Sequence, residues 1–263
     1  MNIIVCIKQV PDTTDVKINP QTNTLVRDGV RVIVNPFDLF AVEEALKLRD
    51  EHGGRVTILT MGPPQAREAL EEAVAMGADD AILLCDQAFA GSDTLATSYA
   101  LSQAIKKFES FDLIICGKQA TDGDTAQVGP GIAAQLMLPQ VTVVRRVLDV
   151  RDHSIVVEHM TDDGMDIIEA PRPCLITIVK KINVPRYASL KGKIRSKRMN
   201  IPTWGPEELK CDIMKVGLEG SPTWVERIFP PPVRKGCTPL QATEVNIEQT
   251  VKEIKEFIVE IQN

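Results

Sequence analysis

The sequence predicts an α/β fold, a doubly wound and mostly parallel sheet with a small antiparallel β addition and an extended C-terminal arm. Three observations predict it. Short apolar runs alternate with stretches of helical period from the N-terminus to about Met137. From Val141 the pattern changes to short alternating runs separated by the turns Asp152-His153 and Asp162-Asp163-Gly164. Beyond Lys180 the chain is basic, then rich in Pro and Gly.

Each element has a local reason. Asn2 to Lys8 reads as a first strand, with no basic leader or cleavage site of a signal peptide. Val16 to Asn19 and Thr24 to Arg27 read as a hairpin around Pro20-Gln21-Thr22-Asn23, and Val30 to Val34 as a short strand. Asn35 is placed to cap a helix that runs to about Glu51. Pro36 suits its first turn and Gly53-Gly54 its end. Arg55 to Thr60 is the next strand, Met61-Gly62-Pro63-Pro64 a turn, and Gln65 to Met76 a helix with Ala66, Leu70, Ala73 and Val74 on one side. Ala81 to Cys85 is a strand. Asp93 caps a helix to Phe108, Leu113 to Cys116 is a strand, and Thr125 to Met137 a helix. Val141 to Val150, Ser154 to His159 and Asp166 to Ile168 are expected as antiparallel strands, and Leu175 to Val179 as another strand. Lys180 to Pro206 is expected to be irregular. Trp224 to Pro232 reads as an arm laid on a partner. Asn246 to Ile261 reads as an amphipathic helix with Val251, Ile254, Ile258 and Ile261 on one face. That face suits a partner or the chain's own domain equally well. Residues 1–203 are thus expected as the nucleotide-binding domain, with 204–263 as arm and helix.

Composition narrows the function. The chain has 263 residues, 44% hydrophobic and 25% charged, enough for a sizeable core. Its net charge of −6 argues against general nucleic-acid binding, and no apolar run reaches the roughly 20 residues that span a bilayer. Cys6, Cys85, Cys116, Cys174, Cys211 and Cys237 form no Cys-x-x-Cys pair, so buried thiols of a reduced cytoplasmic protein are expected and a metal site is not. His52, His153 and His159 are scattered, and neither a Gly-x-Ser-x-Gly elbow nor a Walker loop occurs; no catalytic side chain is expected.

The most informative stretch is GKQATDGDTAQVGPG, from Gly117 to Gly131. It leaves an apolar strand and leads into a helix, which is where open α/β sheets bind nucleotides. Free N–H groups of a first helical turn attract phosphate. An ordinary connection capped by Asp124 accounts for the same residues. Gly129-Pro130-Gly131 is not a dinucleotide fingerprint, because it does not follow the strand directly and Pro130 interrupts it. Asp122-Gly123-Asp124-Thr125 is the better phosphate candidate, yet its two carboxylates would repel that anion. Separately, Lys180, Lys181, Arg186, Lys191, Lys193, Arg195, Lys197 and Arg198 form a basic run without an acidic residue. Tyr187 and Leu190 interrupt it. That pattern suits docking to an acidic partner protein, where an apolar anchor fills a pocket; nucleic acid is a second reading, and a solvated loop the plainer one.

Several motifs together resemble the small (beta) subunit of electron transfer flavoproteins. They are Cys6-Ile7-Lys8-Gln9-Val10-Pro11, Asn35-Pro36-Phe37-Asp38 with Ala41-Val42-Glu43-Glu44-Ala45, Ala75-Met76-Gly77-Ala78-Asp79, Gly117-Lys118-Gln119-Ala120 and Pro185-Arg186-Tyr187-Ala188-Ser189-Leu190. The resemblance implies an adenine-nucleotide-hydrolase-like fold paired with a larger, flavin-binding alpha subunit. It implies an adenine nucleotide held by Cys6, Asn35, Pro36, Phe37, Asp38, Met61, Gly117, Lys118, Gln119, Ala120, Thr121, Asp122, Gly123, Asp124, Thr125, Ala126, Gln127 and Val128. The run DGDTAQVGP looks like the electron-bifurcating branch, where that nucleotide is FAD and NADH is the donor. Electrons there go to ferredoxin or flavodoxin, and through the alpha-subunit FAD to an acyl-CoA, enoyl-CoA or lactate-type dehydrogenase. The non-bifurcating alternative holds AMP structurally. The family's dehydrogenase-docking loop falls at about 184–197, with Arg186, Tyr187 and Leu190, and its C-terminal arm wraps the larger subunit. The segment Phe229-Pro230-Pro231-Pro232 followed by Gly236-Cys237-Thr238 departs from the family pattern.

Overall fold

A computed structural model describes residues 1–12, 18–19, 24–25, 31–226 and 246–262. The strands are β1 (Asn2–Cys6), β2 (Gln9–Pro11), β3 (Ile18–Asn19), β4 (Thr24–Leu25) and β5 (Val32–Val34), followed by helix α1 (Pro36–His52). Then come β6 (Arg55–Met61), α2 (Arg67–Met76), β7 (Asp80–Leu84), α3 (Thr94–Ile105), β8 (Leu113–Gly117) and α4 (Val128–Leu136). The chain continues through β9 (Gln140–Val150), β10 (Ser154–Met160), β11 (Met165–Pro171), β12 (Cys174–Ile178), α5 (Leu190–Arg198), β13 (Thr203–Trp204), α6 (Pro206–Leu209) and α7 (Ile247–Gln262).

A nine-stranded sheet runs in the order β11-β10-β9-β12-β8-β1-β6-β7-β13. Pairs from β9 across to β13 are parallel, while β9-β10-β11 form an antiparallel extension. The expected fold class is therefore the observed one. β2 pairs with β5, and β3 with β4, in two small antiparallel sheets. Alternate residues of the central strands face opposite layers. Ile3 and Val5 of β1 pack with Val42 and Leu46 of α1 and Leu70 and Val74 of α2. Ile4 and Cys6 face the other way, toward Leu101 and Ile105 of α3 and Ile132 of α4. From β1 the sheet grows one way through β6 and β7 and the other way through β8 and β12. Loops after β1 and β8 therefore diverge, and the crevice of a doubly wound sheet opens at this reversal.

Several local readings change. Asn35 precedes α1 but its side chain makes no capping bond; the backbone carbonyl accepts from Asp38 and Leu39 instead. The fourth large helix starts at Val128, not Thr125, because Asp124 (φ 53°) and Ala126 (φ 55°) hold left-handed angles no helix accepts. Asp124 therefore caps nothing. Asp93 does cap α3, accepting the N–H groups of Leu95 and Ala96. The basic stretch expected to be irregular contains α5, capped by Ser189, and β13, which joins the main sheet beside β7. Gly192 permits that helix to dock on α2, since a Cβ there would lie 2.1 Å from the carbonyl oxygen of Ala75.

Two units divide the chain, Met1–Arg227 and Ile228–Asn263. In the first, β13 pairs with β7 at the edge of the main sheet and Leu209 of α6 packs in the core beside α3. In the second, α7 carries Val251, Ile254, Phe257 and Ile258 as exposed apolar side chains. Most of the expected arm from Trp224 to Pro232, and the outer parts of the first hairpin, lie outside the described residues. Among the described residues no helix is long and apolar enough to cross a membrane, and no acidic, His or Cys cluster could hold a metal ion.

Candidate functional site

At the switch point, Cys6 ends β1 in register with Cys116 of β8. Both side chains are buried, and the hydrogen bond with Cys6, followed by burial, pushes the Cys116 thiol well up. The two sulfurs fill the layer beneath the crevice, Cys116 as a neutral thiol. Directly after β1, the Lys8 backbone N–H donates to Asp38 Oδ2 at 2.7 Å. The Lys8 ammonium reaches across to Asp122 at 2.6 Å. Asn35 uses its side chain on the same loop: Nδ2 donates to the Gln119 carbonyl at 2.9 Å, and Oδ1 accepts from Thr121 N–H at 3.2 Å. The side-chain amide of Gln119 donates to Asp124. Both aspartates of the loop thus have internal partners: the Lys8 charge offsets that of Asp122, while the Gln119 amide holds Asp124 without cancelling its charge, so the electrostatic objection to an anion beside them is halved.

Gly117 is required by space. A Cβ there would lie 2.3 Å from Asp38 Oδ1 and 2.8 Å from Phe37 Cβ. The start of α1 is pressed against the end of β8, and Asp38 sits beneath the loop instead of on its open face. Burial pushes the Asp38 carboxyl up to about 7 from the ordinary 3.8, against the lowering effect of hydrogen bonds from Lys8 and Asn35. The folded state therefore keeps a proton that the unfolded chain gives up near pH 4. The stability tied to this proton is present in full below that pH. It is lost as pH rises to about 7, a change on the order of 4 kcal/mol. Urea unfolding between pH 5 and 8 is expected to show this fall in wild type and to lose most of it in Asp38→Asn; parallel profiles would exclude Asp38 as the titrating group.

The open face consists of residues 121–125, all exposed, leading to the N-terminus of α4. Among the described residues, the backbone N–H groups of Gly123, Thr125, Ala126, Gln127, Val128 and Gly129 have no hydrogen-bond partner. Nothing lies within 4 Å of where a Cβ on Gly123 would stand. Gln127 is oriented by its side chain, whose Oε1 accepts from the Thr94 hydroxyl at 3.0 Å. Val128 is half-buried against the core. Gly129 and Gly131 serve packing: Cβ atoms there would lie 2.7 Å from Thr177 Cγ2 and 2.3 Å from Ser98 Oγ. Lys118 donates its N–H to Ile178 at 2.8 Å, extending the β8–β12 ladder. Ala120 accepts the N–H of Asp124 at 2.8 Å, closing the turn. Pro36 opens α1, and Phe37 lies under the Lys180 ammonium, 4.5 Å from the ring centroid. Met61, at the end of β6, packs partly buried against the α3–α4 side of the core.

Farther along, Tyr187 and Leu190 are 99% and 76% exposed. Arg186 is not free beside them; it pairs with Glu43 and Asp50 of α1.

Residues 22–209 match the electron transfer flavoprotein domain. The chain is 47% identical over 266 residues to the electron transfer flavoprotein subunit beta of Megasphaera elsdenii, covering 98% of both proteins. It is 49% identical over 268 residues to protein FixA of Sinorhizobium fredii, covering 99% of this chain and 92% of that one. It is 47% identical over 247 residues to the caffeyl-CoA reductase-Etf complex subunit CarD of Acetobacterium woodii, covering 94% of each. This chain belongs to the electron transfer flavoprotein family, as a beta subunit.

As a beta subunit it serves electron transfer, and its family motifs divide by task. Ala75-Met76-Gly77-Ala78-Asp79 is scaffolding: Asp79 Oδ2 accepts from Val56 N–H at 2.8 Å and from Arg49 at 3.0 Å, at a turn where Gly77 holds φ 135°. Lys8, Thr94 and Ser98 are site-shaping residues to which the sequence reading gave no role, although Lys8 stands inside the first family motif. A lysine placed directly after a strand that ends at the ligand edge was the available signal for the first. Nothing local marked the other two, whose partners lie 33 and 30 residues away.

Proposed function

We propose that this chain is the small subunit of an electron-bifurcating electron transfer flavoprotein, with FAD held at the β1–β8 crevice and NADH as donor. One electron goes to ferredoxin or flavodoxin. The other passes through the FAD of the larger alpha subunit to a flavin dehydrogenase of the acyl-CoA, enoyl-CoA or lactate type. The observation that carries this reading is the set of N–H donors at Gly123 and from Thr125 to Gly129, unpartnered among the described residues, beside two internally paired aspartates. A row of that length suits a pyrophosphate better than a single phosphate, and it ends on a helix N-terminus that favours negative charge. The Thr125 hydroxyl is exposed next to it. A relative named for a caffeyl-CoA reductase-Etf complex supports a CoA-thioester partner.

The flavin supplies two-electron acceptance and one-electron release. The chain's own residues hold and orient it: Asn35 and Lys8 set the loop, Lys8 neutralises Asp122, the Gln119 amide ties Asp124 down, and Gly123 leaves backbone room. No side chain of this site is assigned an acid, base or nucleophile role. A cytoplasmic setting suits five unpaired cysteines among the described residues.

Counting flavins in the purified complex with the larger subunit tests the reading. Two FADs per heterodimer and reduction by NADH are expected. One FAD with bound AMP overturns bifurcation and leaves the structural-AMP alternative.

A further inference from the structure

The segment expected to dock exposes Tyr187 and Leu190, and the group that holds it lies on α1. Glu43 is buried there, its side chain 7% exposed. Glu43 Oε2 accepts the backbone N–H of Arg186 at 2.9 Å and its Nε at 2.9 Å, while Oε1 accepts Nη2 at 3.1 Å. The remaining arm of the guanidinium donates to Asp50 Oδ2 at 2.9 Å. The neighbouring Glu44 accepts from Asn183 Nδ2 at 2.8 Å, and that amide also donates to the Phe40 carbonyl at 3.1 Å. Arg186 is therefore consumed inside the chain, although the sequence offers it to a partner.

Taking a carboxylate out of water is costly, and a buried ion pair adds little stability over an apolar substitute. The arrangement held by Glu43 is a backbone clamp on the residue just before Tyr187, a side chain that gains nothing from its own fold at 99% exposure. Lys191 and Lys193 follow, exposed and without ion pairs among the described residues. A segment ordered before binding loses less entropy when it docks.

We propose that Glu43 is the positioning residue of the docking segment: through Arg186 it fixes the backbone so that Tyr187 and Leu190 are presented preformed to an apolar, acid-rimmed cleft on a flavin dehydrogenase. This rests on the docking role that the basic run and the family resemblance lead one to expect of residues 184–197. The same helix begins at Asn35 and Asp38, so one rigid element registers both the nucleotide loop and the docking segment.

The test uses the complete flavin-loaded heterodimer as acceptor, with a butyryl-CoA dehydrogenase reduced by butyryl-CoA as the probe. Glu43→Gln and Arg186→Gln are each expected to raise the KM for the heterodimer about tenfold with kcat and flavin content unchanged. The double variant should be no worse than either single one, because both remove one interaction. Hydrogen exchange at residues 183–190 should quicken in the same variants. Leu190→Ala serves as the reference and should raise the KM as well. If Leu190→Ala leaves the KM unchanged, the docking role fails and this inference with it. If Leu190→Ala raises the KM but Glu43→Gln and Arg186→Gln do not, docking stands and positioning by Glu43 is wrong. Lowered thermal stability with an unchanged KM also overturns it.

Discussion

Gly117→Val is expected to abolish nucleotide binding by this subunit and to destabilise its fold by about 1–3 kcal/mol, the usual cost of overfilling a packed site. The reason is local and steric. A Cβ at this position would stand 2.3 Å from Asp38 Oδ1 and 2.8 Å from Phe37 Cβ, so either β8 or the start of α1 must move. Movement of α1 would pull Asn35 from Gln119 and Thr121, and Asp38 from Lys8. Those contacts shape the loop that presents the open N–H groups. Melting temperature and nucleotide content of the purified heterodimer check both parts. A stable variant that keeps its nucleotide would show that the β1–β8 crevice is not the binding site.

Gly123→Val is expected to separate the two effects. Its Cβ meets nothing within 4 Å, and its backbone does not sit in the left-handed region, so the fold should change by no more than about 0.5 kcal/mol. The ligand, however, loses its approach to the neighbouring N–H groups. Losing one hydrogen bond to a charged phosphate, at about 1.5–3 kcal/mol, corresponds to a roughly tenfold to hundredfold weaker nucleotide affinity. Calorimetric titration of the nucleotide-stripped heterodimer with FAD and with AMP measures this. Unchanged affinity for both would remove the 121–125 turn from the site. Together the two glycines distinguish a residue the fold needs from one only the ligand needs.

Much of the architecture was legible in the sequence. Apolar runs such as Leu113-Ile114-Ile115-Cys116 are buried on both faces of a parallel sheet, so they read as continuous strands. Helices α1, α2 and α3 carry their apolar residues at helical spacing, and Asp93 is a local capping signal that needs no distant partner. Where the reading failed, a distant partner had won. Asn35 looks like a cap, but the Gln119 carbonyl and Thr121 N–H, more than 80 residues away, claim its side chain. Asp124 looks like a cap too, until Gln119 takes it and the chain turns through two left-handed residues. The basic stretch after Lys180 lacks a helical apolar stripe. It becomes helical at Leu190 because Ser189 caps it and Gly192 lets it lie on α2.

The Gly117–Gly131 stretch shows the same division. By itself the sequence determined that this stretch leaves a parallel strand at the ligand edge and is rich in groups that suit phosphate, because strand period and residue chemistry are local properties. Only the tertiary structure decided that Lys8 and Gln119 occupy its aspartates, that Gly117 yields space to Asp38, and that Arg186 turns inward to Glu43. Those outcomes depend on which side chains the crossovers bring together, and side-chain pairing across tens of residues leaves no periodic trace in the chain.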